Sequence, residues 1–539
     1  MRRTLVMAIA GVAVVVAMAQ GAHAQQAAAP APTFTIAGLF ETATAASHNL
    51  RDVNFARVGD KEWYARTRGR FEVTGRVGTA VGVLMLEIDS TWGQVSGSDN
   101  NVVTGAAAVG TAQRVNATSG FDLNTDTQGS IEVKWLYVEH DVPRLPAPTR
   151  MRLGAQPFAT TYKPATLASG DFGGLHLVTT WSPTVKSHVT FVQIEEELTG
   201  GSTGGTGPTA FVRGDDLALI TSVEITPAKG LDIRPTYAVL WAQGATSGAA
   251  RVAVGGIPGA GGTPTFAAKT VGPGAVATHE EYRHTIGMDA RWRSGPISVE
   301  PTFFYQFGTR EMDNPFPIGT TDLIRESDIS AWLFDVKAGS RIGPVLLEAR
   351  YVYTSGNRPM DQLSRDTNYY QPIDTDTAYM ADGWGNILAQ GIDSFNGAFR
   401  TLGTGVGLDR YGRQQFGLKA TYGVSPQLDL YAVVMPAWTA RSVDTDGTFA
   451  AAAINCSTHS ANSAAFPEGA GCRGDASHIG TEANLGLTWR FAPGLTFDLV
   501  GAYLVAGDAL DTTEVINGVA TRRASEDVYT GVARVRLSF

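Results

Sequence analysis

The stretch EDVYTGVARVRLSF, residues 526–539, decides how the rest of the chain is read. Taken in twos from its end, it gives Phe539, Leu537, Val535, Ala533, Gly531 and Tyr529 on one face. Ser538, Arg536, Arg534, Val532 and Thr530 make the other. One face is apolar and ends in an aromatic ring; the other is polar and carries two arginines. Strict alternation over a dozen residues predicts a strand whose faces meet two different solvents.

The composition agrees. The chain has 539 residues, 43% of them hydrophobic and only 17% charged, with 62 glycines. Many Gly, Thr and aromatic residues at middling hydrophobicity suit short strands better than helices. Past the first residues no apolar run reaches the roughly 20 residues that a membrane helix needs. That excludes a helical membrane protein and leaves open a membrane barrel, whose strands are apolar only at alternate positions. The formal charge of −9 speaks against a nucleic-acid partner.

Residues 1–24 read as a secretory signal. Arg2 and Arg3 begin it, Leu5 to Met18 form its apolar core, and Ala22-His23-Ala24 is a small-x-small cleavage motif. Residues 25–32 are an Ala/Pro/Gln linker. Cys456 and Cys472 share one polar segment, and in an exported chain they predict a disulfide closing a loop. Such a bond stabilises by roughly 3 kcal/mol.

From Thr33 onward a rhythm sets in. Tight connections such as Val77-Gly78, Pro227–Gly230, Ser294-Gly295-Pro296, Arg341-Ile342-Gly343 and Ala492-Pro493-Gly494 alternate with long polar ones. The long ones fall near 44–61, 94–127, 159–171, 198–214, 244–279, 309–327, 356–410, 441–479 and 508–525. The expected fold is all-β: residues 33–539 form a single transmembrane antiparallel up-and-down β-barrel of about 18 strands. A β-sandwich mixes loop lengths at both ends, and a propeller repeats every 40–50 residues; this chain does neither. Apolar sets recur on alternate positions, among them Leu217, Leu219 and Val223, then Ile297, Val299, Phe303, Tyr305 and Phe307. Ile131, Val133, Trp135 and Tyr137 are placed on the outward face by the same pattern.

The sharpest polar feature is the second strand, where Tyr64, Arg66, Arg68, Arg70 and Glu72 share a face. Arginines two apart form a ladder of about 7 Å per step. They must face water, because arginine at the bilayer midplane costs roughly 2–4 kcal/mol. A turn centred on Val77-Gly78 sets Arg68 opposite Glu87 and Arg66 opposite Asp89, and leaves Arg70 facing Met85. With Lys134, Arg150 and Arg152 on nearby inward faces, the ladder reads either as a salt-bridged wall or as a basic strip that focuses anions. The 356–410 loop carries Asp361, Arg365, Asp366, Asp374 and Asp376 and is the candidate constriction, since loops of this length are functional or disordered. The 159–171 loop is too short to be the first choice. Chemistry has little support: His140, His176, His188 and His284 lie on separate strands, and no G-x-S-x-G or H-E-x-x-H occurs. No cofactor and no metal site are expected.

Together the leader, the alternating hairpins and the terminal Phe539 resemble a Gram-negative outer-membrane porin over the whole mature chain. The strand number is nearer to substrate-specific and alginate-export-type channels than to general porins. Met151-Arg152-Leu153-Gly154-Ala155-Gln156 is similar to the L-G-x-Q hairpin of alginate-export-like barrels, and Phe172-Gly173-Gly174 is similar to a turn in the third loop of general porins. The resemblance implies outer-membrane localisation, short periplasmic turns, long extracellular loops and passive transport, and names no solute; with the basic strip, the expectation is diffusion of small hydrophilic, preferably anionic, solutes. The alternative is a dedicated channel for one substrate such as an acidic polysaccharide. Implied partners are outer-membrane lipid and lipopolysaccharide, the barrel assembly machinery reading Phe539, and the solutes, with a homotrimer among the assemblies it allows.

Overall fold

The computed structural model describes residues 31–49, 61–92, 131–163, 165–195, 216–243, 278–313, 324–358, 366–375, 383–389, 411–443, 476–516 and 519–539. The predicted signal peptide, Cys456 and Cys472 lie outside them.

The strands are β1 (Thr33–His48), β2 (Lys61–Val77), β3 (Ala80–Thr91), β4 (Ile131–Asp141), β5 (Thr149–Ala159), β6 (Ala168–Ser182), β7 (Val185–Glu195) and β8 (Asp216–Ala228). They continue with β9 (Leu231–Gln243), β10 (Thr278–Ser294), β11 (Ile297–Asp313), β12 (Ile324–Ile342) and β13 (Val345–Thr354). Two short strands follow, β14 (Asp366–Thr367) and β15 (Asp374–Thr375), then β16 (Arg413–Ser425), β17 (Leu428–Val443), β18 (Ala476–Ala492) and β19 (Leu495–Ala506). A separate hairpin, β20 (Thr512–Ile516) with β21 (Val519–Arg523), precedes the last strand, β22 (Val528–Ser538).

Setting aside β14, β15 and the separate hairpin, 18 strands form one closed barrel in which each pairs antiparallel with the next. The ends of the chain close it: β1 pairs with β22 from Leu39↔Ser538 to His48↔Tyr529. Gly38 N–H donates to the Phe539 carbonyl at 2.9 Å, Phe539 N–H donates to the Gly38 carbonyl at 3.1 Å, and the Phe539 ring stacks on Phe40 with centroids 5.8 Å apart. Closure matters physically, because a sheet in lipid cannot leave an edge of unpaired N–H and C=O groups.

The tight turns have local causes. Gly78 (φ 59°), Gly295 (φ 57°) and Gly343 (φ 58°) each take the first central position of a two-residue hairpin, where a left-handed residue matches the twist of the flanking strands. Pro296 and Pro344 fill the next position in two of them. Because Val77 pairs with Ala80, the β2–β3 turn is Gly78-Thr79. The sequence-based register was centred one residue early and is thereby shifted by two. Arg70 pairs with Glu87, Arg68 with Asp89 and Arg66 with Thr91, while Met85 stands opposite Glu72.

Alternation puts large apolar side chains on the outside. Phe303, Tyr305 and Phe307 on β11, Leu485 on β18, Leu499 and Tyr503 on β19 and Tyr529 on β22 are all exposed. A band of this extent does not suit water; it suits a bilayer. On β4 the expected faces change partway. The β3–β4 register slips between Met85 and Leu86, so that Lys134 and Trp135 both turn to the lumen. Trp135 Nε1 donates to Asp171 Oδ1 at 2.6 Å, and Tyr137 lies beneath the Arg152 guanidinium at 4.8 Å. Leu136 and Val138 take the outward positions, 59% and 51% exposed. A bulge inserts one residue without a partner, and the period-two reading of Trp135 and Tyr137 as outward fails at that residue.

Candidate functional site

Among the described residues, the ladder arginines of β2 each have a carboxylate beside them. Arg66 reaches Glu41 of β1 at 3.3 Å, Arg68 reaches Asp89 at 2.6 Å and Glu87 at 3.3 Å, and Arg70 bonds Glu87. Lys134 extends the network from Glu87 (3.8 Å) to Asp171 (2.9 Å). On the other side Arg534 of β22 joins Asp498 at 2.8 Å and Glu41 at 3.5 Å. The inward faces of β19, β22, β1, β2, β3 and β4 are thus cross-linked by ion pairs at one level.

Nearer the short turns, Arg150 bonds Glu139 and reaches Asp141 at 2.9 Å, and Arg152 reaches Glu139 at 2.9 Å. With His176, Val178, Thr180 and Lys186 these groups line a cavity of about 550 Å³. Arg66, Arg68, Arg70, Glu87, Asp89 and Lys134 thus share one ion-pair network, and Arg150 and Arg152 share a second with Glu139.

Two loops enter the barrel. The shorter one, between β5 and β6, reaches across to β10 and β11. Lys163, 1% exposed, donates from Nζ to the Glu300 carbonyl at 2.7 Å and lies 3.9 Å from Asp289. Tyr162 N–H donates to Asp289 Oδ2, and the Tyr162 ring lies between the guanidiniums of Arg234 (4.8 Å) and Arg291 (4.4 Å). Burial pushes the Lys163 ammonium below its ordinary value, against the pull of Asp335 and Asp289. Burial also raises the Tyr162 phenol to about 12. Length alone had ranked this loop below 356–410; contacts to β10 and β11, and not length, carry it inside.

The longer loop also turns inward over its described parts. β14 pairs in parallel with β12, and β15 in parallel with β6, so that Asp374 stands opposite Ala168. Between them Tyr370 Oη donates to the Thr166 carbonyl at 2.8 Å, and Ile373 N–H donates to the Leu167 carbonyl at 2.7 Å. The two loops therefore hold each other. Gln371 is clamped by the wall: Arg310 donates to its Oε1 at 2.7 Å, Arg283 at 3.2 Å, and Gln306 donates to its carbonyl at 2.6 Å. Farther on, residues 383–389 press Trp384, Ile387, Leu388 and Ala389 against the inward faces of β16 to β18, each at most 1% exposed. Asp361, Arg365 and Asp376 lie outside the described residues, as does the side chain of Asp374; Asp366 is exposed and uses its carbonyl to accept from Asn357 at 2.8 Å.

The result is a lumen with two unlike halves. Under the loops, Phe304, Leu333, Val352 and Met435 are each 0% exposed and belong to a hydrophobic core inside the barrel. Along β2 to β7 charged groups keep water: the Arg70, Arg150 and Arg152 side chains are 30%, 35% and 28% exposed. Sequence reading missed Lys163, Gln371 and Glu482. Glu482 alone left a trace, as the single carboxylate on an inward face otherwise made of Asn484, Gly486 and Thr488.

Neither a protein-family model nor a curated protein matches this sequence. Solved structures are similar in outline. Pseudomonas aeruginosa OccK8 (OprE) shares 11% identity with a TM-score of 0.46, covering 94% of this chain and 98% of its own. A BenF-like porin from Pseudomonas fluorescens Pf-5 shares 8% at 0.46, over 94% and 98% of the two chains. Acinetobacter baumannii OccAB1 shares 11% at 0.45, over 94% and 97%. At this identity and score the likeness says nothing about solute or selectivity.

Proposed function

We propose that the protein is a passive channel of a Gram-negative outer membrane, filled with water along the β2–β7 side of its lumen. The observation that carries this reading is the division of the lumen itself. A closed barrel with an apolar outer band has no need of ionised groups inside, and burying them without water is costly. Among them Arg70, Arg150 and Arg152, each partly exposed, sit along β2 to β7 where the described loops leave space, whereas Arg310, Arg350 and Lys163 in the packed half are buried against Glu281, Asp335 and the Glu300 carbonyl. No catalytic step is required, because selectivity follows from the width of that space and the charge of its wall.

We assign it to small hydrophilic solutes, with a modest preference for anions. At Arg70–Glu87 and at Arg150 and Arg152 with Glu139, the cation is the more exposed partner: Glu87 is 5% and Glu139 19% exposed. A passing solute meets guanidinium first. Arg68–Asp89 and Arg150–Asp141 run the other way, at 13% against 31% and 35% against 55%, which keeps the bias small. Lipid and lipopolysaccharide around the apolar band, and assembly through the terminal strand, belong to the same proposal.

Reversal potentials in planar bilayers test it. Wild type should favour chloride over potassium, and Arg70→Ala with Arg150→Ala should reduce that preference while the barrel still folds, since both side chains are partly in water. A cation-selective wild type would overturn the anion assignment; absence of any conductance would overturn the channel.

A further inference from the structure

We infer that Glu482 is a positioning residue that sets the width of the pore by latching the 383–389 turn inside the barrel. This rests on the channel reading above.

The geometry is that of an anion held by backbone. Asn386 and Ile387 donate their N–H groups to Glu482 Oε1 at 2.7 and 3.0 Å, and Leu388 donates to Oε2 at 2.6 Å. Three consecutive N–H groups aimed at one carboxylate form a concave anion seat. Each side meets a need of the other. Glu482 is 0% exposed, and the three N–H groups replace the water it has lost. In return, the N–H groups of the turn find in the Glu482 carboxylate the acceptors they need.

The fit around the seat is close. A Cβ on Gly385 would collide with Met435 Cε and stand 3.0 Å from Glu482 Oε2. Trp384 packs where a Cβ on Gly417 would come within 2.9 Å of its ring, and Lys419 Nζ lies 5.9 Å from the ring centroid. The other end of the same loop is fixed on β10 and β11 through Gln371. Residues 366–375 and 383–389 are therefore held on both flanks of the packed half, the second stretch through Glu482. Without it the turn loses its hold on β18, and the lumen it occupies opens to water.

Single-channel recording of Glu482→Ala and Glu482→Gln tests this, together with Trp384 emission taken as the difference from Trp384→Phe in each background. Gln keeps one oxygen for Asn386 and Ile387 but turns an amide donor toward the Leu388 N–H. The expected order of conductance is therefore wild type, then Gln, then Ala as the widest, with Trp384 emission shifting to the red in the same order. Gly385→Val, which leaves the carboxylate intact but displaces the turn, should match Ala and serves if Ala fails to fold. Wild-type conductance and unshifted emission in all folded variants would overturn the inference. A red shift with no conductance in any protein upholds the latch and overturns the channel reading alone.

Discussion

A lysine with almost no access to water marks a contact that the fold depends on. Lys163 gives its proton to the Glu300 carbonyl and its charge to Asp289, on strands more than a hundred residues away in sequence. Lys163→Met should remove the hydrogen bond and leave Asp289 with Thr302 and the Tyr162 N–H as its donors. The expected cost is about 1–3 kcal/mol, read as a lower urea midpoint of the folded barrel, with a wider channel as the loop loosens. Tyr162 supplies a pH readout at the same place. Its phenol is raised from 10.0 to about 12 by burial, so the neutral form is the one that fits the docked loop. The stability it adds is fully present below the free-tyrosine value and is lost as pH rises through about 12. An alkaline absorbance titration should show a late phenolate step that Tyr162→Phe abolishes; a step at the ordinary tyrosine value would refute the docking. Neither residue was legible in advance, because nothing within ten positions of Lys163 signals a partner on β11. The shared face of the β2 arginines was legible, since alternation alone sets Arg66, Arg68 and Arg70 on one side of the strand.

At the level of strands, period two carried most of the reading and failed at defined irregularities. Alternation predicted the faces of β8, β11, β18 and β22. It misplaced Trp135 and Tyr137 because no local residue announces the bulge at Lys134. The β2–β3 register slipped because Gly78 was given the second central position of its turn, whereas φ of 59° at the first position fits a two-residue hairpin with Thr79 next. Gly154 on β5 shows how such irregularities are held. With φ 126°, it lies so near β4 that a Cβ would run into the Leu136 carbonyl oxygen. Gly154→Val should therefore destabilise the β4–β5 pair by about 1–3 kcal/mol. Loss of heat-resistant gel mobility at a lower temperature than wild type would show it, whereas Gly173→Ala, whose Cβ meets nothing within 4 Å, should be silent.

Taken whole, the described residues form a cylinder whose interior is packed over one part and, on the proposed reading, an open channel over the rest. The cylinder was legible because loop length alternates along the entire chain. The division of its interior was not, since it arises from two loops meeting each other and distant strands, and contacts of that kind leave no period in a sequence. The division makes a spatial prediction that charge arguments do not. Single cysteines placed in a background with Cys456 and Cys472 replaced by serine should sort by wall. Arg70→Cys and Arg150→Cys stand where side chains reach water and should react quickly with a charged methanethiosulfonate, with a drop in conductance as each label enters the path. Val433→Cys and Met435→Cys face the lumen equally by alternation, yet their positions are 2% and 0% exposed beneath the 383–389 turn, and they should stay unreactive. If all four react alike, the loops do not fill that half of the barrel and the pore is central. If the Met435→Cys thiol becomes reactive only when Glu482→Ala is added, the packed half is kept dry by the turn that Glu482 holds.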